Sequence, residues 1–136
     1  MKILIVEDNA SNFLLLQKLL VQYGAVDNAI DGESAMNKFI LAHQKNQPFD
    51  TIFLDIIMPK KDGSEVLTEI RAWEKQNSEV VNKVQIVMTT SISDTDTVMK
   101  SYSDGCQHYL LKPYNKTDIH ELMVRMGFTE KLSNRN

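Results

Sequence analysis

Five polar side chains in this sequence stand where apolar runs stop. Glu7 and Asp8 follow Lys2 to Val6, Asp55 follows Ile52 to Leu54, Thr90 lies in the hydroxyl cluster after Val84 to Met88, and Lys112 follows His108 to Leu111. Each run reads as a buried strand, so each polar residue sits at a strand's C-terminal tip. Taken alone, Asp55 could equally cap the turn through Met58-Pro59 and Asp62-Gly63. Together the five suggest chemistry. Three packed carboxylates repel one another, and a hard divalent cation with oxygen ligands relieves them; Mg²⁺ is the expected ion. A lysine holds an anion and a threonine hydroxyl donates to it, so the crevice has the parts to grip a phosphoryl group beside a metal. Asp55 is then the nucleophile, forming an aspartyl-phosphate. No His/Cys cluster, GxxxxGK[ST] loop or GxGxxG stretch is present, so the phosphoryl should arrive on another molecule.

The remaining elements must bring these tips together. Lys2 to Val6 has the continuous apolar character of a central parallel strand. Asn9 or Ser11 can cap a helix bearing Phe13, Leu16, Leu19, Leu20 and Tyr23, which Gly24 stops. A strand at Ala25 to Ile30 leads through Asp31-Gly32 to a helix with Ala35, Met36, Phe39 and Ile40 inward. After Asp55, a third helix has Val66, Leu67, Ile70 and Trp73 inward and Glu69, Arg71, Glu74 and Lys75 on wetter faces. Gln76 to Lys83 is a long polar connection, read as decoration remote from the site. The fourth strand, Val84 to Thr89, precedes a helix opened by Ser93 or Asp94, packed through Val98, Met99 and Tyr102, and ended by Gly105. Past Lys112-Pro113, Asn115 or Thr117 caps a last helix with Ile119, Leu122, Met123 and Met126 inward and Gly127 at its end. Five strand–helix alternations predict a doubly wound α/β fold. Its five-stranded parallel sheet has helices on both faces, and right-handed crossovers favour the order 2-1-3-4-5. In that order Glu7, Asp8, Asp55, Thr90 and Lys112 converge on one crevice.

Composition is consistent with one domain. The chain has 136 residues, 43% hydrophobic and 24% charged. A net charge of −3 with scattered basic residues disfavours direct nucleic-acid binding. Cys106 is the single cysteine and reads as a small core residue. The apolar N-terminal run is too short for a signal or a membrane span, so a cytoplasmic protein without a membrane anchor is expected. His43, His108 and His120 are far apart in sequence and read as surface or core residues, and Lys60-Lys61 as a solvated loop.

Val6-Glu7-Asp8-Asn9, Asp55 with Met58-Pro59 and Asp62-Gly63, Thr90-Ser91, and Tyr109-Leu110-Leu111-Lys112-Pro113 resemble the receiver (phosphoacceptor) domain of two-component response regulators. The resemblance covers residues 2 to about 127 and implies a flavodoxin-like fold. The 22 positions from Thr90 to Lys112 match the family's spacing and single out Thr90 over Thr89 as the switch hydroxyl. The resemblance further implies that Glu7, Asp8, Asp55 and the backbone carbonyl of Ile57 hold Mg²⁺ and that Asp55 is phosphorylated. Thr90 and Lys112 contact the phosphoryl, and Tyr109 is the aromatic partner of the threonine. Lys112-Pro113 matches a bond that is cis in the family.

The implied function is a switch that takes a phosphoryl group from a histidine kinase or histidine phosphotransfer protein. It answers a downstream protein through the fourth helix, fifth strand and fifth helix, residues 94–127. A domain at 1–127 and a polar tail at 128–136 are expected. The chain is expected to assist its own aspartyl phosphorylation and dephosphorylation without being an enzyme. Ile57 and Ile92 stand where relatives often carry polar residues beside the hydrolytic water, which suggests a long-lived phosphoryl. Two alternatives are a receiver cut from a larger regulator or hybrid kinase and a pseudo-receiver that works without phosphorylation. A phosphatase or phosphomutase is weaker, because those enzymes usually need a second acid where Ile57 stands.

Overall fold

The structure, a computed structural model, describes residues 1–58, 62–77, 80, 82–91 and 95–128. The chain alternates β1 (Lys2–Val6), α1 (Ala10–Leu20), β2 (Ala25–Ala29), α2 (Gly32–Gln44) and β3 (Thr51–Asp55), then α3 (Gly63–Gln76), β4 (Gln85–Thr90), α4 (Thr95–Asp104), β5 (His108–Leu111) and α5 (Lys116–Arg125). The five strands form one sheet in the order β2-β1-β3-β4-β5, and every neighbouring pair is parallel. The expected topology is therefore the observed one.

Strand alternation divides the core in two. Leu4, Val6, Ile52, Leu54, Ile86 and Met88 face α2 and α3, where they pack with Phe39, Val66, Leu67 and Ile70. Ile3, Ile5, Phe53 and Val87 face α1 and α5, where they meet Leu16, Leu20, Ile119, Leu122 and Met123. Period-two side chains buried on both sides explain why the central strands are apolar without interruption.

Local signals set the helix starts. Asn9 caps α1, with its side chain accepting from the Asn12 N–H, so the cap is Asn9 and not Ser11. Asp31 and Asp62 cap α2 and α3 in the same way. Asn115 and Asp118 form a reciprocal capping box at α5. Gly105, at φ +116°, ends α4. The alternatives Ser93 and Asp94 for the α4 cap, the Lys60-Lys61 pair and the tail from Thr129 lie outside the described residues.

Two expectations are corrected. Glu74 is not on a wet face: it is 4% exposed, pairs with Arg71 Nη1, and accepts the Val84 N–H at 2.8 Å. Arg71 also donates to the carbonyls of Gly105 and Val84 and to Gln107 Oε1. The start of β4 folds back over this side of α3 and supplies polar partners that helical periodicity cannot reveal. On α4, Met99 and Tyr102 are 63% and 45% exposed, while Ser101 is buried. The expected apolar stripe therefore points outward.

Removing the Glu74 carboxylate strands both the Arg71 charge and the Val84 N–H. Glu74→Ala is expected to cost ~3 kcal/mol in denaturant unfolding, and Glu74→Gln less because it keeps an acceptor. Equal, negligible losses in both variants would show that the pair contributes nothing.

Candidate functional site

The register of the sheet builds the site. Val6 pairs with Leu54, Asp55 with Thr89 and Thr90 with Leu111, so the next residues of β1, β3, β4 and β5 emerge at one edge. The Ile56 N–H donates to the Thr89 carbonyl at 3.1 Å and the Lys112 N–H to the Thr90 carbonyl at 2.8 Å, extending the ladder to the tips. This is the carboxyl edge of a doubly wound sheet, where ligands bind.

Glu7, Asp8 and Asp55 come together there. Each offers a carboxylate oxygen, and these atoms lie within 4.8 Å of one another. Glu7 and Asp55 are buried, at 4% and 6% exposure, whereas Asp8 faces outward. Lys112 Nζ spans the buried two, at 3.0 Å from Glu7 Oε1 and 3.3 Å from Asp55 Oδ2. The remaining oxygens are also engaged: Glu7 Oε2 accepts the Asn9 N–H at 3.2 Å, and Asp55 Oδ1 accepts the Ile57 N–H at 3.3 Å. Burial alone would lower the Lys112 pKa, but the hydrogen bond it donates to Glu7 and the charge of Asp55 outweigh it and hold it above the ordinary lysine value. The lysine is therefore a permanent cation here. Three clustered carboxylate oxygens beside it fit a hard divalent ion, and no imidazole or thiolate belongs to the cluster.

The remaining sequence candidates fall into place around this centre. Thr90 is buried at the β4 tip, and strand alternation puts it on the same sheet face as Met88 and Tyr109, which are register partners. Tyr109 is half-buried against the α2/α3 core. Lys112-Pro113 is cis. Ile57, 61% exposed, stands at the mouth beside Asp55. Ile92 lies outside the described residues.

Sequence reading missed two contributors. Tyr114 is buried, and its phenol is pushed up to about 12, first by burial and then by the charges of Glu7 and Asp55. With Asn12, Leu15, Ser91, Lys112 and Pro113 it lines a slot of about 240 Å³ beside the site. Its place directly after Lys112-Pro113 was the available signal. Gly63 was read as a turn residue, yet its backbone lies against β3: its N–H donates to the Ile56 carbonyl at 2.8 Å, and a Cβ there would overlap the Asp55 carbonyl oxygen. The N-terminus of α3 can seat on the Asp55 peptide because residue 63 has no side chain.

The family described as response regulator receiver domain matches residues 3–124. The chain belongs to that family. Among relatives of this receiver domain, hybrid signal transduction histidine kinase L of Dictyostelium discoideum is 33% identical over 127 residues, 93% of this chain but 7% of that protein. The probable methanogenesis regulatory protein FilR2 of Methanothrix harundinacea is 31% identical, over 86% of this chain and 75% of its own length. The chain spans only 7% of the length of that hybrid kinase and 13% of each of two further relatives, the GacS sensor proteins of Pseudomonas syringae and Pseudomonas protegens.

Two solved structures share the fold. A receiver domain from the Saccharomyces cerevisiae regulator Ssk1, solved with the histidine phosphotransfer protein Ypd1, is 31% identical with a TM-score of 0.75, covering 93% of this chain and 86% of that one. A two-component response regulator from Clostridium difficile has a TM-score of 0.77 at 26% identity, over 100% and 98%. Receiver domains serve two-component phosphorelay signalling, and the fold is that of a signalling domain. No helix among the described residues is long and apolar enough to cross a membrane.

Gly63→Ala is expected to lose about 1–3 kcal/mol of stability, because only backbone could move to accept the methyl group. An unchanged melting temperature would show that α3 does not rest on the Asp55 peptide.

Proposed function

We propose that Asp55 accepts a phosphoryl group from a phosphohistidine on a histidine kinase or a histidine phosphotransfer protein. The observation that carries this reading is Lys112 Nζ held between Asp55 Oδ2 and Glu7 Oε1, with Asp8 completing the acid cluster. A carboxylate oxygen of Asp55 attacks phosphorus; the P–O bond forms as the P–N bond breaks, and the electron pair stays with the imidazole. Lys112 and the Thr90 hydroxyl neutralise and hydrogen-bond the transferring oxygens. Glu7, Asp8, Asp55 and the Ile57 carbonyl are the groups to hold Mg²⁺, which when bound offsets negative charge on the phosphoryl oxygens. The domain thereby assists its own phosphorylation and the later hydrolysis, without turning over a substrate of its own.

The readout is assigned to the surface between residues 94 and 127. Met99, Tyr102, Leu111 and Val124 are exposed apolar residues on α4, β5 and α5, which favours a protein target there. Thr90 and Tyr109, on one sheet face, link the phosphoryl to that surface. The phosphodonor side is assigned to the mouth, where Ile57 is exposed beside Asp55 and the exposed Leu15 lines the slot next to Lys112. We take residues 1–127 as the working unit, in the cytoplasm, acting alone or within a longer regulator.

Incubating the protein with Mg²⁺ and acetyl phosphate is expected to add one phosphoryl group by intact mass, and none to Asp55→Asn or in the presence of chelator. A full adduct on Asp55→Asn would move the acceptor elsewhere. No adduct on folded wild type, from acetyl phosphate or from a histidine phosphotransfer protein, would favour the pseudo-receiver reading. The adduct is also expected to be long-lived, because Ile57 offers water no polar partner beside Asp55. Ile57→Asn combined with Ile92→Glu should shorten its half-life several-fold, and an unchanged half-life would remove the isoleucines from the account.

A further inference from the structure

A slot of about 240 Å³ adjoins the acid cluster, and Tyr114 is its fixed wall. The ring is buried in the α1/α5 core with Leu16, Leu20 and Ile119, and the Asn115–Asp118 capping box holds the residue that follows it. Yet the Tyr114 hydroxyl makes no hydrogen bond with any of the described residues. A phenol this deeply placed normally finds a partner. The open space that Tyr114 lines is the slot, so the missing partner has to enter there. Leu15 and Pro113 form apolar walls. Lys112 is common to the slot and the acid site, with its Nζ 3.3 Å from Asp55 Oδ2.

We infer that this slot receives the imidazole ring of the phosphodonor and that the Tyr114 hydroxyl selects that ring by accepting the N–H of its distal nitrogen. The inference rests on the phosphohistidine reading above. Size comes first: the slot is smaller than the roughly 300–1,000 Å³ of pockets that take whole small molecules, and so suits a single ring. Leu15 and Pro113 give the ring faces apolar contact. The sign of the local field then chooses among leaving groups. After burial, the charges of Glu7 and Asp55 are what push the Tyr114 phenol up, so the potential at its hydroxyl is negative. A carboxylate, the leaving group of an acyl phosphate, is disfavoured there, and a ring N–H is favoured. A tyrosine oxygen can accept that N–H.

The transfer balances without a further reagent. The ring enters with its distal nitrogen protonated, a form that the negative field favours. As an Asp55 oxygen bonds to phosphorus the P–N bond breaks, and its electron pair stays on the nitrogen that carried phosphorus. The ring departs as neutral imidazole, its distal proton still hydrogen-bonded to the Tyr114 oxygen. Tyr114 itself neither gains nor loses a proton; it orients the ring against Asp55.

The probes are monophosphoimidazole, which carries the ring, and acetyl phosphate, which does not. Each is given to the full chain with Mg²⁺, and initial rates are read as the Asp55 adduct by intact mass. Tyr114→Phe removes the hydroxyl and keeps the ring in the core, while Leu15→Trp, at an exposed position on α1, fills the slot from outside. Both variants are expected to keep the circular dichroism of the wild type. Both should lower the ratio of kcat/KM for phosphoimidazole to that for acetyl phosphate, Tyr114→Phe about fivefold and through KM. An unchanged ratio in both variants, including equal losses with the two donors, overturns the subsite and leaves Asp55 as the acceptor. A fall confined to Leu15→Trp overturns the role of Tyr114. No adduct from either donor on folded wild type overturns the phosphohistidine reading and the subsite together.

Discussion

Everything at the carboxyl edge depends on one cation placed between two buried carboxylates. Glu7 and Asp55 are buried side by side, and placing two carboxylates together under cover is costly unless a cation and hydrogen-bond donors accompany them. Lys112 supplies that compensation from β5, and the N–H groups of Asn9 and Ile57 satisfy the outer oxygens. This arrangement constrains the whole topology. β1, β3 and β5 must end at the same edge, with β4 between the last two, which the order β2-β1-β3-β4-β5 achieves. The same parallel order requires a crossover helix between each strand and the next in sequence, and so places helices on both faces of the sheet.

The two ends of the sheet are held by different chemistry. At the carboxyl edge the groups are charged and only partly neutralised, which leaves capacity for a ligand. At the other end, Arg71 bonds to Glu74, Gly105, Val84 and Gln107 at once, and Gln107 Oε1 also accepts the Ile86 N–H. That network is satisfied by protein groups alone, as a structural joint needs to be. It ties α3 to the start of β4 and to the α4–β5 turn, where Cys106 is buried and its thiol is pushed up to about 11 by burial. Cys106 is accordingly a packing residue.

Much of the fold was legible because central parallel strands announce themselves as unbroken apolar runs, and the acids, threonine and lysine stand at their ends. Glu7, Asp8, Asp55, Thr90 and Lys112 could be read in this way, and the structure groups the three acids and the lysine with Thr90 at the neighbouring tip. Helix faces were less legible. Periodicity says which residues share a face but not what covers it. Glu74 read as wet because one of its partners, the Val84 N–H just before β4, comes from ten residues away in sequence. Met99 and Tyr102 read as core because nothing in their spacing shows that, among the described residues, this side of α4 is left exposed. Tyr114 was missed for a related reason: burial next to distant acids is a tertiary property.

The exposed side of α4 then has a physical meaning beyond a wrong expectation. A helix whose apolar residues face water gives up the main source of helix stability in a folded protein, the packing of an apolar face. α4 buries Ser101 and bonds it back to the Thr97 carbonyl at 3.0 Å. The contrast with α3 is direct, since α3 buries Val66, Leu67, Ile70 and Glu74 and seats Gly63 on β3. Local stability in one domain is uneven, and elements with few buried apolar contacts lie at its low end. In the function proposed above, a phosphoryl group at the adjoining strand tips acts on α4 rather than on α3, and Met99 and Tyr102 form part of the apolar surface offered to a downstream protein.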